Sequence, residues 1–501
     1  MTQPANAATP VPLASRLLIG VTAMAAALVA QWLLSRAADR APFPPFSYGD
    51  WFIRRTPGPL ATEAIERLGP LARESIVFAG VLALLALGAA LSIARGWLVP
   101  GAVFVLTLLG AALAPATPPV GLSLAAAVVG AFAAAGILGI ASSMHPRSGG
   151  SPSGRRRTLL LGGLSAGFLV LTGLMVIARV RREPPRGIAS ARQLTAKEAP
   201  GFAALPGLPP LITAPEDHYL VDINLQRPRI PRDDWELRVD GLVASPAAFT
   251  LDDLLSFDLV ERAVLLQCIS NWPAGPLIGN ATWTCFPFTA LLERVKPSPS
   301  ATMVSVRAYD GYFESFPLAE AETWFVAVGM GGHELPADHG FPVRLLHPGH
   351  YGMRSVKWVS SFEFTAEDPG SYWNDRGWDR EARMRIGSSI ESPTGGGDRR
   401  NPVTIAGTAY GFGPVTAVEL SFDDGATWAA ASAELEPPPG EYSWTRWKLT
   451  SDLAAGRHDV RARAYVGDDV QDATQRAPHP SGSSGLDLQL IDVAGDSPPQ
   501  P

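Results

Sequence analysis

Apolar positions are spread very unevenly along this chain. The long uncharged runs crowd the first 180 residues and then stop, while Asp, Glu, Trp and His gather after residue 215. Leu17 to Ser35 and Ser75 to Ala94 each run without a charge for long enough to cross the roughly 30 Å hydrocarbon core of a bilayer. Trp97 to Met144 is too long for one crossing, and "PATPPV", starting at Pro115, divides it and supplies a turn. Thr158 to Ala178 is a fourth uncharged stretch and gives a fifth crossing. Soluble helices rarely run about 20 residues without a charge. The pattern therefore predicts an all-α transmembrane anchor over residues 1–182, with five helices at about 17–35, 75–94, 97–114, 121–143 and 158–178.

Beyond the anchor the periodicity changes. Residues 183–215 read as a linker, because "LPGLPPLITAP" keeps the chain extended. From 216 to 390 strands and short helices mix, which predicts an α+β domain. "WELRVDGLV" alternates as a strand, "FTLDDLLSF" starts a short helix at Thr250 or Asp252, and "ERAVLLQC" is a buried strand running into Cys268. "MVSVRAY", "WFVAVGM", "FPVRLLHP" and "VKWVSSFEF" are further strands. Over 391–492, "VTIAGTAYG", "VTAVELSF", "YSWTRWKL" and "HDVRARAYVG" alternate at regular intervals, as in an immunoglobulin-like β-sandwich. Residues 493–501 read as a disordered tail.

Composition removes several function classes. Net charge is −6, and no Lys/Arg cluster alternates with aromatics, so no nucleic-acid partner is expected. The chain has two cysteines and no CxxC or CxxCH, which leaves zinc ribbons, attached c-type haem and cysteine-ligated iron–sulfur clusters unsupported. Taken alone, Cys268 has three readings: a small buried hydrophobe, half of a disulfide with Cys285, or a metal ligand. His347 and His350 form a His-x-x-His without a third partner, too little for a metal site.

Charge near the membrane gives conflicting signals. Six arginines in the 36–74 loop, and Arg179, Arg181 and Arg182, favour a cytoplasmic soluble part. "GRRRTLLLGG", with Arg155 to Arg157, resembles a twin-arginine export signal. That route carries folded, cofactor-loaded proteins, so the expectation is a multi-pass protein of the cell membrane whose soluble domains are extracytoplasmic.

Several blocks between Tyr219 and Asp375 resemble the sulfite-oxidase family of molybdopterin enzymes, in the family's order. They are "VDGLVASPAAFTLDDLLSF", "LLQCISN", "GPLIGNATWTCFPFTALL" and, most specific, "DHGFPVRLLHPGHYGMRSVKW". "VELSFDDGATWAAA" and "YSWTRW" resemble the family's dimerisation domain, and the anchor joined to such a domain resembles a bacterial membrane-bound branch. The resemblance implies a molybdenum–molybdopterin cofactor, with the Cys268 thiolate as metal ligand. It also implies pterin contacts at Asn224, Asp310, His339, Arg344, Ser355 and Lys357. Arg344 can grip a phosphate bidentately, and Lys357 offers a point charge. Cys285 falls where the family has a small residue, and reads as packing.

The substrate side departs from the family. Its Asn-Arg-Arg becomes Asn271, Trp272 and Pro273; a second arginine falls at Asp222, and an active-site tyrosine at Trp378. Sulfite is anionic near neutral pH and needs fixed positive charge. The implied activity is two-electron oxo transfer on a small substrate other than sulfite, with sulfite oxidation and S- or N-oxide reduction as the choices within that chemistry. Electrons then pass to or from a separate carrier, a cytochrome or membrane quinone, and the C-terminal domain can mediate a homodimer. The competing class is a decayed pterin fold kept as a membrane-anchored binding or assembly module.

Overall fold

The computed structural model describes residues 12–37, 41–57, 60, 71–95, 98–114, 120–144, 185–190, 192–225, 227–393, 399–429 and 432–494. The chain forms two compact units: Met1–Pro184 with Asp222–Arg229, and Pro185–Val221 with Ile230–Pro501.

The first unit is helical: α1 (Leu13–Ala37), α2 (Pro44–Arg55), α3 (Leu71–Arg95), α4 (Leu98–Leu113) and α5 (Val120–Met144). Among the described residues three helices, α1, α3 and α5, are long and apolar enough to cross a membrane. At 16 residues α4 is shorter than the roughly 20 usually needed. The fifth expected span, 158–178, and Arg155 to Arg157 lie outside the described residues. Helix α2, unexpected from hydropathy, begins with Pro44 and Pro45 in its first turn, where a missing N–H costs nothing. Small residues let α1 and α3 meet closely, since a Cβ added at Gly20 would stand 2.3 Å from Gly88 O. A buried polar link joins three helices: Gln31 Nε2 donates to Thr107 Oγ1 (2.6 Å) and to Ala126 O (3.3 Å). The segment 222–229 belongs to this unit, with Leu225 N–H donating to Asp50 Oδ1 at 2.5 Å.

In the second unit the first domain contains β1 (Leu237–Gly241), β2 (Ala247–Phe249), α6 (Leu251–Leu255), β3 (Val260–Gln267), β4 (Ile278–Pro287), α7 (Phe288–Val295), β5 (Met303–Ala308), β6 (Phe313–Pro317), β7 (Phe325–Met330), β8 (His333–Glu334), β9 (Arg344–Leu346) and β10 (Val359–Thr365). One sheet runs β2-β1-β10-β5-β6, with β1 and β10 parallel; the other runs β3-β4-β7-β8, with β9 also on β7. The expected α+β character reduces to two short helices among the described residues, so this domain is β-rich. Helix α6 starts where the sequence indicated: Thr250 and Asp253 form a reciprocal capping box.

The second domain contains β11 (Gly387–Ser392), β12 (Val403–Tyr410), β13 (Ala417–Ser421), β14 (Glu434–Leu435), β15 (Thr445–Ser451), β16 (Gly456–Val466), β17 (Asp469–Val470) and β18 (Leu488–Val493). Its sheets are β11-β12-β15-β14 and β13-β16-β17, with β18 on β16. Trp447, Ile405, Val418 and Val460 fill its core. At about 25 cal/mol per Å², each fully buried aromatic of roughly 200 Å² gains on the order of 5 kcal/mol of transfer free energy before entropy is counted.

Residues 185–221 are not a free linker. Phe202 and Leu211 are buried, and Ala199 N–H donates to Glu436 Oε1 at 2.6 Å. Glu436 in turn takes Arg446 through two bonds of 2.5 and 2.9 Å. Prolines keep the stretch extended, while its few apolar side chains anchor it along both domains. Those domains also meet at β3, where Leu265 N–H donates to Tyr442 O at 2.8 Å. The strand that delivers Cys268 is thus held from two sides.

Candidate active site

Cys268 follows β3 directly and opens a tight loop back into β4, with Gln267 opposite Ile278. Its N–H donates to Leu277 O (2.9 Å), and its carbonyl accepts from Asn271 N–H (3.0 Å). Asn271 is a buried loop organiser: Oδ1 accepts from Leu277 N–H (2.9 Å) and Nδ2 donates to Gly275 O (3.2 Å). A Cβ at Gly275 would stand 2.4 Å from Asn271 Oδ1, so this turn needs glycine. The loop is rigid, and Cys268 remains partly exposed upon it. Its Sγ lies 3.0 Å from Ser270 Oγ. Burial raises the thiol pKa, against the Ser270 hydrogen bonds and the charge of Lys357.

Cys285 is fully buried in β4 within the first domain's core, and its thiol is pushed up to about 12 by burial. Both cysteines are free thiols.

Three expected cofactor residues form one cluster, and its Lys357 bears on Cys268 through its charge. Arg344, buried at the start of β9, donates from NH1 to His339 O (3.4 Å) and stacks over Trp283 at 5.2 Å. His339 shares a 2.7 Å hydrogen bond through Nε2 with Pro215 O. Burial, and then the charge of Arg344, lower its pKa to about 4. Lys357 Nζ donates to Val221 O at 3.2 Å, and its charge bears on both His339 and Cys268. A Cβ at Gly340 would stand 3.2 Å from Lys357, so this left-handed glycine lets the two segments close up.

Ser355 and Asp310 lie close by on connected backbone. Ser355 Oγ accepts from His347 N–H at 3.1 Å. Asp310 is buried in the turn after β5, where Oδ1 accepts from Tyr312 N–H at 2.9 Å. That turn is tied to the Lys357 segment by Tyr309 N–H donating to Trp358 O, 2.9 Å. Asn224 is buried within the helical unit.

One residue of the cluster escaped sequence reasoning. His218, buried, stands edge-on to His339 at 5.4 Å and stacks on Tyr219 at 5.1 Å. Burial and Arg344 lower its pKa to about 3, so it is neutral at pH 7. Its Nε2 is buried and makes no hydrogen bond of good geometry. The only sequence signal was a lone histidine in "EDHYLV", which carries no motif.

Two cations, two neutral imidazoles and a thiol suit a polar, phosphate-bearing group and a soft metal ligand. Among the described residues no three His, Cys, Asp or Glu converge as a metal site. His347 and His350 belong to a separate buried network: their ring centroids lie 3.8 Å apart with the planes tilted by 32°, beside the Glu314–Arg354 ion pair of 3.2 Å.

The residues expected on the substrate side bring no cation to the loop, which has no charged side chain from Cys268 to Leu277. Trp272 is exposed and Trp378 is buried in an apolar cluster. Asp222, in the helical unit, is paired with Arg227 at 2.5 Å. A cavity of about 410 Å³ adjoins the loop, lined by Gly275, Pro276, Tyr410, Trp444 and Glu391.

Two family models match this chain: an oxidoreductase molybdopterin-binding domain over residues 224–373, and a Mo-co oxidoreductase dimerisation domain over 387–475. Human mitochondrial sulfite oxidase is 28% identical over 307 residues, covering 51% of this chain and 56% of that protein. Nitrate reductase [NADH] 2 of Nicotiana tabacum is 26% identical over 302 residues, 46% of this chain and 33% of that one. A putative protein-methionine-sulfoxide reductase subunit YedZ1 of Azospira oryzae is 32% identical over 146 residues, 29% of this chain and 54% of that protein. The chain spans about half the length of the curated relatives it matches first. Among solved structures, the sulfane dehydrogenase SoxCD from Paracoccus pantotrophus shares the fold: TM-score 0.50 and 21% identity, covering 64% of this chain and 94% of that one.

Proposed function

The chain belongs to the sulfite-oxidase family of molybdopterin-dependent oxidoreductases, and on that premise we propose that it is a membrane-anchored oxo-transfer enzyme whose substrate is not sulfite. The observation that carries the substrate reading is the uncharged loop from Cys268 to Leu277, with Pro273 where the family sets an arginine. A sulfite pocket needs fixed positive charge, and this loop supplies none.

Molybdenum–molybdopterin is the family's cofactor, and when bound it supplies two-electron oxo-transfer chemistry. Cys268 gives its thiolate to the metal from a loop made rigid by Asn271. Arg344 and Lys357 hold the phosphate end, while His339, Ser355, Asp310 and Asn224 contact the pterin. His339 stays neutral, with one ring nitrogen engaged by Pro215 O, so its orientation is set before the cofactor arrives. His218 joins this set through its buried Nε2.

The same proposal includes five membrane crossings, of which α1, α3 and α5 have the length and α4 and residues 158–178 complete the count. Arg155 to Arg157 act in twin-arginine export, which places the soluble domains outside the cytoplasm at the cell membrane. Electrons pass through a separate cytochrome or quinone. The two sheets of the last domain form an immunoglobulin-like sandwich that pairs two copies, in line with the dimerisation model it matches.

The test is metal and turnover analysis of the chain expressed in a host that makes molybdopterin. Stoichiometric molybdenum is expected, with turnover on sulfoxides or N-oxides and little on sulfite. Cys268→Ser should abolish turnover, by at least a hundredfold. A folded wild-type preparation without molybdenum would sink the enzyme reading.

A further inference from the structure

Tyr351 is a buried hydroxyl that none of the roles above employs. Its backbone N–H donates to Ala382 O at 2.9 Å. Its ring packs in a cluster with Leu265 and Ile269, which flank Cys268 in sequence, and with Trp378. The next residue confirms the closeness to the cysteine strand: a Cβ at Gly352 would stand 3.4 Å from Gln267 O. Tyr351 therefore lies along the backbone that presents Cys268.

The hydroxyl oxygen accepts from Arg385 N–H at 3.3 Å. Among the described residues no hydrogen bond uses its proton. Room for the oxygen exists because residue 482 is glycine. A Cβ at Gly482 would stand 2.1 Å from Tyr351 Oη, and the backbone there has φ +85°, which other residues rarely adopt. A phenol is protonated and neutral at working pH, so the hydroxyl remains a donor.

We propose that Tyr351 donates a hydrogen bond to the oxygen of a neutral S-oxide or N-oxide at the Cys268 centre, and that Gly482 and Trp378 shape this specificity. A neutral O–H aimed by a backbone amide fits a dipolar oxygen, which needs one donor and no countercharge. An oxyanion would need a cation instead, and the loop has none. The apolar wall contributed by Trp378 suits the hydrocarbon groups on such a sulfur or nitrogen. The donation forms and breaks no covalent bond. This inference rests on the oxo-transfer reading and adds to it a residue and a substrate class.

The experiment compares the full metallated chain with Tyr351→Phe, using dimethyl sulfoxide, trimethylamine N-oxide and sulfite as probes. Molybdenum content and near-ultraviolet circular dichroism should be unchanged. The Kd of at least one oxide should rise by about tenfold, the usual loss for one hydrogen bond to a neutral acceptor, with sulfite unaffected. The infrared S=O or N–O stretch of that bound oxide should move upward in the variant, a shift that a packing role would not produce. Gly482→Ala, which crowds the hydroxyl without removing it, should give the same direction. Unchanged Kd values and unchanged stretches in Tyr351→Phe would overturn the proposal. Wild-type protein that binds neither oxide would overturn it too, and turnover of a different substrate by that molybdenum-loaded protein would leave the enzyme reading standing.

Discussion

Two groups of side chains carry the proposed site, and they differ in the charge that they themselves bring. His339, Arg344 and Lys357 come from the segment around β9 and bring two cations beside neutral imidazole. Tyr351, Trp378 and Gly482 come from irregular segments and bring an O–H, an indole and a bare backbone packed against that O–H. The first group suits a polar cofactor with a phosphate, whereas the second suits a neutral molecule. On the proposed reading, one cysteine keeps the family's metal while the side chains of the second group answer to another substrate.

The largest effect that would test this division is on cofactor retention. Arg344→Gln keeps length and some hydrogen bonding but removes the charge and the stacking over Trp283. Losing a charge-assisted contact of about 1.5–3 kcal/mol predicts roughly 10- to 150-fold weaker retention, read as molybdenum per protein after dialysis. Full metal content in this variant would mean that the cationic group does not hold the phosphate.

A smaller effect is expected from adding charge to the neutral side. Pro273→Arg restores a cation to the loop after Cys268, and Pro273 has no N–H to lose. Sulfite inhibition or turnover should strengthen by about fivefold, as one partly exposed charge is worth roughly 1 kcal/mol. No change in sulfite response would show that loop charge does not set this preference.

Much of this division was legible in the sequence, because it is carried by contiguous runs. "ERAVLLQC" alternates little and forms β3, and "DHGFPVRLLHPGHYGMRSVKW" holds His339, Arg344 and Lys357 within a short span. The packing role of Cys285 was implied by the resemblance, which has a small residue there, and its thiol is free and buried in β4. What stayed hidden depends on contacts between distant segments. His218 lies over a hundred residues from His339, and nothing local marks it. Tyr351 sits inside the most specific motif, yet its hydroxyl matters through Gly482, which reads in isolation as an ordinary turn glycine. The packing of residues 185–221 was hidden for the same reason, since Phe202 and Leu211 are sparse among prolines and find their partners only in the folded domains.

The smallest effect concerns protons and rests on the buried histidines of the first group. His339 titrates near 6.5 in an unfolded chain but at about 4 when folded, chiefly through burial. Below pH 6.5 the unfolded state therefore binds the extra proton, so this histidine's contribution is fully present above 6.5 and is lost as pH falls toward 4. Its slope is at most about 1.4 kcal/mol per pH unit over that window. His218 shares the direction, with a folded value of about 3, while Glu391, held up at about 7 by burial, acts oppositely. The wild-type slope thus mixes signs, and the difference between wild type and His339→Gln isolates one group. Glutamine can still donate to Pro215 O but cannot titrate. Urea unfolding of the detergent-solubilised chain, followed by tryptophan fluorescence between pH 7.5 and 4.5, should show a shallower acid loss for the variant by close to one proton. Parallel curves would mean that His339 takes up its proton at the same pH in the folded and unfolded states, so that burial does not hold it neutral.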